Sequence, residues 1–394
     1  MRGSSENPPA ASAEARLPPR IGINAVFLEP RMGGLDTYVR ALVPELVTLA
    51  PQVRFSVFCN SHGRDYLAAE GWDSEVELVT HPLLGRRGLR AASELTLLGA
   101  LAGRQVDLLH SVALTAPLRT RATNVVTLAD LTWIVAPEPG EASTMRLWRV
   151  IVPPVARRAD RVLALSEAGA QHIVEHLRVP RERIDVVPLA AGVSARHEPT
   201  PAAELRARLA LGDGPVVLTV SAKKANKNLA RLLRAMPAVL ARHPDAVLVL
   251  PGNPTPHEFE LRSLAAELGI AARVVFPEYV DAADLEGLYA LAGCFVFASI
   301  NEGFGIPILE AMRRGVPVAC SRASALPEVA GDAARYFDPY DEHDIANALL
   351  ELLDNGSLAA ELAKRGRERE AQFTWRATAL GTLASYARAY AQRR

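Results

Sequence analysis

The chain has 394 residues, 49% of them hydrophobic, with 44 acidic and 44 basic side chains and three cysteines. That length suits two domains better than one core. The apolar content argues against wholesale disorder, and the balanced charge against recruitment of nucleic acid or an anionic membrane by a global field. Cys59, Cys294 and Cys320 lie in apolar strand-like runs with no metal-ligand spacing. They read as buried hydrophobes in a reducing compartment, so a cytoplasmic location is expected and a disulfide framework or metal site is not.

Residues 1–20, rich in Pro, Ala, Ser and Arg, read as a disordered leader rather than a signal peptide. No run of about 18 apolar residues predicts a membrane-spanning helix. A strand at 21–25 runs through 27–32 into Gly33 and Gly34, and a helix is expected over 36–50. Strand, glycine loop and helix make a phosphate-friendly geometry, although a lone glycine pair serves equally as a tight turn. Strands are expected at 53–58, 75–79, 106–110, 124–129, 161–165 and 184–187, alternating with helical runs near 87–103, 143–158 and 167–177. Such alternation gives βαβ units and a parallel sheet, whose ligands bind beyond the carboxyl ends of the strands. That rule selects the 33–34 loop, His110, Asp130 and Ser166 as a cleft rim. For His110 and Ser166 taken alone, a structural cap is the more economical role. Arg86, Arg87 and Arg90 beside leucines are few enough to be a solvated helix face, which is favoured over peripheral membrane contact.

The stretch V-P-L-A-A-G, 187–192, and its continuation to Pro201 have the punctuation of an interdomain connection. Strands follow at 216–220, 246–250, 273–276, 294–298, 317–320 and 335–337, with helices such as 229–242, 257–268 and 282–291 between them. The basic loop S-A-K-K-A-N-K-N-L, 221–229, follows the first of these strands, where it can neutralise a diphosphate; alone it is as readily a surface lysine run.

The most informative stretch is N-E-G-F-G-I-P-I-L-E-A-M-R-R-G-V-P-V, 301–318. It leads into a helix expected to begin at Pro307, where the missing N–H is not needed. The amides of Gly305 and Ile306, with the helix dipole, make an anion site. Gly303 and Gly305 let the backbone come close to a ligand. Glu302 before the helix and Glu310, placed in its first turn, would repel a phosphate met head-on. They fit better to either side, Glu310 accepting from ribose hydroxyls and Glu302 from hydroxyls beyond the phosphates. That is the layout of a nucleotide-sugar site. Two bare glutamates so spaced also suit a helix start by dipole alone, so the residues between them decide.

Those residues, E-G-F-G-I-P-I-L-E-A-M and then P-V-A-C-S-R-A-S-A-L-P-E-V-A-G-D to Asp332, resemble the donor-site signature E-G-F-G-x-P-x-x-E-A-M of the retaining glycosyltransferases of family 4. The resemblance extends from about residue 21 to residue 390. It implies the GT-B fold, an α/β architecture of two Rossmann-like parallel-sheet domains facing across a cleft. Domain limits of 21–190 for the acceptor side and 191–372 for the nucleotide-sugar side follow, with a terminal helix in 373–394 crossing back to the first domain. G-G-L-D-T-Y-V-R from Gly33 resembles the family's G-G-x-x-x-Y loop against the donor diphosphate. The 221–229 loop resembles V-G-x-x-x-x-R-K-N-L and places Lys227 on the phosphate-binding lysine. The arginines of that pattern are Asn226 and Ala222 here, with Lys223 or Lys224 as replacement charge. F-P-E-Y-V resembles F-x-G-Y-V and puts the donor base near Tyr279 and Val280, with Glu278 in place of the glycine. T-L-A-D-L-T-W-I-V-A-P-E, 127–138, resembles V-x-H-D-L with its later P-E pair, but the histidine falls on Ala129. Either Asp130, Thr132 or Trp133 takes over its contact with the transferred sugar, or the sugar lacks the hydroxyl concerned, or the catalyst is weakened.

The resemblance implies transfer of a sugar from a nucleotide-diphosphate sugar to a hydroxyl acceptor, with retention and a front-face mechanism. Lys227, Glu302 and Asp130 are then the catalytic candidates. Gly33, Gly34, Lys223, Tyr279, Gly303, Phe304, Gly305, Ile306 and Glu310 complete the donor site. No cofactor or metal is implied, and the chain has no D-x-D motif. A nucleotide-sugar epimerase would not explain E-G-F-G-x-P-x-x-E. A non-catalytic nucleotide-sugar-binding partner subunit is the other alternative, motivated by Ala129, Asn226 and Ala222.

Overall fold

The computed structural model describes residues 16–393 apart from 30–32, 87–89, 137–141, 193–197, 253–254 and 278–279. The apolar runs become thirteen strands in two sheets among the described residues. The first holds β1 (Arg20–Ala25), β2 (Arg54–Cys59), β3 (Glu77–Val79), β4 (Leu108–Ser111), β5 (Thr123–Leu128), β6 (Arg161–Ala164) and β7 (Ile184–Val186), in the order β3-β2-β1-β4-β5-β6-β7. The second holds β8 (Val216–Leu218), β9 (Val247–Val249), β10 (Val274–Val275), β11 (Ala292–Phe297), β12 (Val318–Ser321) and β13 (Ala334–Phe337), ordered β10-β9-β8-β11-β12-β13.

Every strand pair is parallel. Helices cover both faces of such sheets, so their strands need apolar side chains on both sides. Central strands such as β4, β5, β8 and β9 are accordingly buried throughout. Strand order reverses once in each sheet, between β1 and β4 and between β8 and β11. Those are the two crevices where a doubly wound sheet takes its ligands.

Three local departures from the sequence pattern stand out. β1 begins at Arg20, one residue before the strand expected from the sequence, and the Arg20 guanidinium is paired with Asp107; residues 1–15 lie outside the described residues. The run near 87–103 is two helices, Arg90–Leu95 and Leu97–Gln105. Thr96 separates them, with its hydroxyl donating back to Ala92 O at 2.7 Å, a bond that competes with the helix ladder. The run near 167–177 ends in a π-turn, Ile173–Leu177.

The helix Trp375–Gln392 returns to the first sheet and packs along the helix Gly34–Leu49, β5 and β6. Trp375 Nε1 donates to Ala191 O at 2.9 Å and Thr378 Oγ1 to Pro188 O at 2.8 Å, tying the helix to the connection between domains. Deeper in, Tyr386 OH is 2.7 Å from His110 Nδ1, and His110 Nε2 is 2.7 Å from Thr127 Oγ1. Tyr38 OH completes this buried chain, 3.1 Å from the same hydroxyl. His110 therefore lies beneath the cleft rim, as a link between four elements.

Burial lowers the His110 pKa to about 3, so the ring is neutral. The unfolded chain binds the proton at higher pH than the folded one, so the group's contribution to stability is complete above about pH 6.5 and falls as pH drops towards 3. The slope approaches about 1.4 kcal/mol per pH unit. In denaturant titrations, the stability gap between wild type and His110→Asn should narrow by about 2 kcal/mol from pH 7 to pH 5. A constant gap would show that His110 does not carry the acid sensitivity.

The three cysteines are free and buried, and burial pushes the thiols of Cys59 and Cys294 up to about 12. They pack as inert hydrophobes. Among the described residues, no helix is long and apolar enough to cross a membrane.

Candidate active site

The crevice between β8 and β11 is bounded by two loops, 219–228 from the end of β8 and 298–305 from the end of β11. Ser221 Oγ, Asn226 Oδ1 and Ser299 Oγ are buried there without a hydrogen-bond partner. Orphaned buried polar atoms are rare in folded proteins and call for an explanation such as a bound group. Asn228, in the left-handed region at φ 58°, fastens the first loop by donating to Ala298 O at 3.2 Å and Pro339 O at 2.7 Å. Asn226 Nδ2 donates to Asn301 O at 3.3 Å, joining the two loops where the family pattern has an arginine.

Gly305 has φ 116°, a conformation that only glycine adopts without strain. The turn it makes lets the helix start at Ile306 and run to Arg313, so Pro307 is its second residue. This corrects the placing of Glu310, which falls in the second turn. Its carboxylate points away from the free amides, accepting from Tyr289 OH at 3.2 Å through Oε2. Oε1 faces the interdomain connection, since a Cβ on Gly192 would stand 2.3 Å from it. Burial raises the Glu310 pKa, with the Arg314 guanidinium and the Tyr289 hydroxyl opposing that shift.

Glu302 and Lys227 meet across the crevice, with Nζ 2.5 Å from Oε1 and both side chains mostly buried. Lys227 Nζ also lies 5.7 Å from the centre of the Phe297 ring. Ser324 holds the glutamate's backbone by donating to Glu302 O at 2.7 Å. Lys223 differs from the expectation of a second diphosphate ligand. Its ammonium is fully buried, donates to Gly252 O at 2.5 Å and stands 3.3 Å from Glu258 Oε2. Of these two lysines, Lys227 is the one paired with the E-G-F-G loop.

The first domain closes directly onto that loop. A Cβ on Gly303 would sit 1.6 Å from Ala129 O, so the two backbones touch at the position where the family has its histidine. Ser166 Oγ donates to Gly303 O at 2.9 Å while accepting from Gly169 N at 3.0 Å, so it both caps a helix and joins the domains. Asn301 Nδ2 donates to Thr132 Oγ1 at 3.0 Å. Glu328 accepts from the amides of Glu167 and Ala168, both at 2.7 Å. Asp130 Oδ1 accepts from Thr132 N at 2.9 Å, and Asp130 borders a narrow crevice with Glu302, Gly303 and His172. Trp133 is buried.

Gly33, at φ 72°, starts the helix Gly34–Leu49. A Cβ on Gly34 would lie 3.9 Å from Ile306 Cδ1, so the two glycine loops face one another across the cleft. The Phe304 ring packs edge-on against Phe373 with centroids 5.8 Å apart, leaving only its backbone for a ligand. Tyr279 lies outside the described residues. Sequence reasoning did not single out Asn301, Ser324, Tyr289, Gly192 or Glu328. None of them gave a separate signal in the sequence, because each acts through a partner distant in the chain.

Two doubly wound parallel-sheet domains, with a glycine loop and a helix start meeting at the switch points, define the GT-B class. A solved structure of the same architecture is that of Anabaena HepE in complex with UDP-glucose, with a TM-score of 0.72 at 20% identity over 93% of this chain and 98% of that one. The chain belongs to the glycosyltransferase family 4 group: the model described as "Glycosyltransferase Family 4" matches residues 32–191, and "Glycosyl transferases group 1" matches 202–369. It is 30% identical over 269 residues to the O-antigen chain mannosyltransferase B of Escherichia coli, covering 66% of this chain and 69% of that protein. It is 32% identical over 233 residues to the serotype-specific mannosyltransferase WbdA of Escherichia coli, covering 56% of this chain but only 28% of that much longer relative.

Proposed function

We propose that this chain is a glycosyltransferase that moves a hexose or deoxyhexose from a nucleotide-diphosphate sugar to a hydroxyl acceptor, with retention and without a metal. The observation that carries this reading is the Lys227–Glu302 pair set among orphaned polar atoms at the β8/β11 switch point. The relatives named as mannosyltransferases and the architecture shared with a UDP-glucose complex support it.

In this reading the diphosphate lies on the amides that open the helix Ile306–Arg313, and the Lys227 ammonium turns from Glu302 to its oxygens. Charge that builds on the leaving phosphate is met by groups already in place, with no reorganisation at the moment of reaction. Glu302, released from the lysine, accepts from the sugar hydroxyls. The front-face route needs no nucleophilic carboxylate of the kind a retaining hydrolase sets about 5 Å from its acid partner. The departing phosphate takes the acceptor's proton. Asp130 stands in for the family's histidine, because Thr132 already accepts from Asn301 while the Asp130 carboxylate is on the exposed side of the crevice.

A thermal-shift screen against UDP, GDP, dTDP and ADP with their common sugar conjugates tests the proposal. A ligand at about a hundred times its Kd adds about 2.7 kcal/mol. Stabilisation by one nucleotide family is expected, followed by nucleotide release when acceptors are supplied. No stabilisation at millimolar ligand would overturn the donor site. Binding without transfer or donor hydrolysis would favour a partner subunit.

Glu310→Ala should raise the Kd for the nucleotide by about 10- to 150-fold, as a charged hydrogen bond to ribose is worth about 1.5–3 kcal/mol. Calorimetric titration reads this directly, and unchanged affinity would remove the ribose role.

A further inference from the structure

The first domain carries a second cavity, of about 800 Å³, at the opposite end of its sheet from the cleft. Its residues precede β4, β5 and β6, whereas the cleft lies beyond the carboxyl ends of these strands, about 20 Å away at 3.3 Å per residue along β5. Leu95 and Leu118 give it an apolar floor, and Arg104, Arg119, Arg121 and Arg158 stand around it. The wall is tightly built, since a Cβ on Gly99 would sit 2.1 Å from Arg119 O.

None of these four guanidinium groups has a hydrogen bond or ion pair with another described residue. The nearby acids are already engaged: Asp107 pairs with Arg20 at 2.8 Å, and Asp160 pairs with Arg393 at 3.0 Å while accepting from Asn124 N at 2.7 Å. In a chain with 44 acidic and 44 basic residues, four uncompensated arginines around one cavity form a local excess of positive charge. Arginine's planar fork matches phosphate oxygens two at a time. The volume lies in the range that holds a small ligand.

We infer that this cavity binds a phosphate-bearing ligand, either a free phosphorylated small molecule or the headgroup of an anionic lipid, whose apolar portion rests on Leu95 and Leu118. The site is separate from the sugar-transfer cleft, and its standing does not depend on that assignment.

The test uses the full chain and four proteins: wild type, R119A/R121A, the charge-matched control R54A/R376A, and K227A, which alters the cleft. Circular dichroism checks that each is folded. Calorimetric titration with inorganic pyrophosphate reads a free ligand. Co-sedimentation with phosphatidylglycerol/phosphatidylcholine vesicles, against phosphatidylcholine alone, reads a headgroup. A pyrophosphate site retained in K227A and R54A/R376A but weakened at least tenfold in R119A/R121A establishes the cavity with a soluble ligand. Binding to the anionic vesicles alone, lost in R119A/R121A and kept in the control, establishes it with a lipid headgroup. If R119A/R121A matches the control in both assays, or wild type binds neither probe, the inference fails. Loss in K227A alone would place the only phosphate site in the cleft and overturn it equally.

Discussion

Replacing Lys227 with alanine is expected to lower kcat by on the order of 10²-fold, the loss typical when one pre-placed donor to a developing oxyanion is removed. The geometry makes the consequence sharper than loss of one cation. Glu302 Oε1 rests 2.5 Å from the ammonium, with the pair mostly shielded from water. Without the lysine, the carboxylate remains as an uncompensated negative charge in the crevice proposed to receive a diphosphate. Binding and turnover should therefore both suffer, and the double variant K227A/E302Q should bind the nucleotide more tightly than K227A. Steady-state kinetics with calorimetry on the two variants checks this. A wild-type rate in K227A would place the phosphate site elsewhere.

Gly303→Ala should lower kcat/KM by about 10²-fold while leaving each domain folded. The added methyl would start 1.6 Å from Ala129 O, and backbone on both sides makes up the obstruction. One loop must retreat, taking Glu302 from Lys227 and Gly303 O from the Ser166 hydroxyl. Misplacement by about 1 Å is enough for a loss of this size in a reaction that depends on positioning. A melting curve beside the kinetics separates this from unfolding. An unchanged rate would mean that the reaction runs with the domains apart and that the 129–303 contact is not part of the working state.

The sequence exposed the two sheets because a parallel strand buried on both faces is a short unbroken apolar run, which turn residues then delimit. The amphipathic helix Leu229–Arg242 was legible through its own periodicity, with Leu229, Leu232, Leu233, Met236 and Val239 on the buried face. The E-G-F-G loop was visible as a motif, but the turn holding Glu310 was not. That turn depends on φ at Gly305, which permits the helix to begin one residue earlier than proline placement suggests. Nor could a run of three lysines reveal which one is buried against Gly252 and which one meets Glu302; the left-handed Asn228 and its two carbonyl partners set that. The domain-to-domain bonds were least readable. Ser166 and Gly303 are 137 positions apart and Glu328 and Glu167 are 161 apart, so no local pattern announces either pair.

The helix Trp375–Gln392 has a consequence for how the protein is made. It supplies Tyr386 to His110 and covers β5 and β6, so the domain synthesised first lacks part of its own interior when its last strand, β7, leaves the ribosome. At about 5–20 residues per second, the missing helix follows roughly 10–40 seconds later. Through that interval the nascent first half must hold an unfilled groove, while the second half can complete its sheet and cover its own core. The domain that begins the chain is thus the one whose folding finishes last.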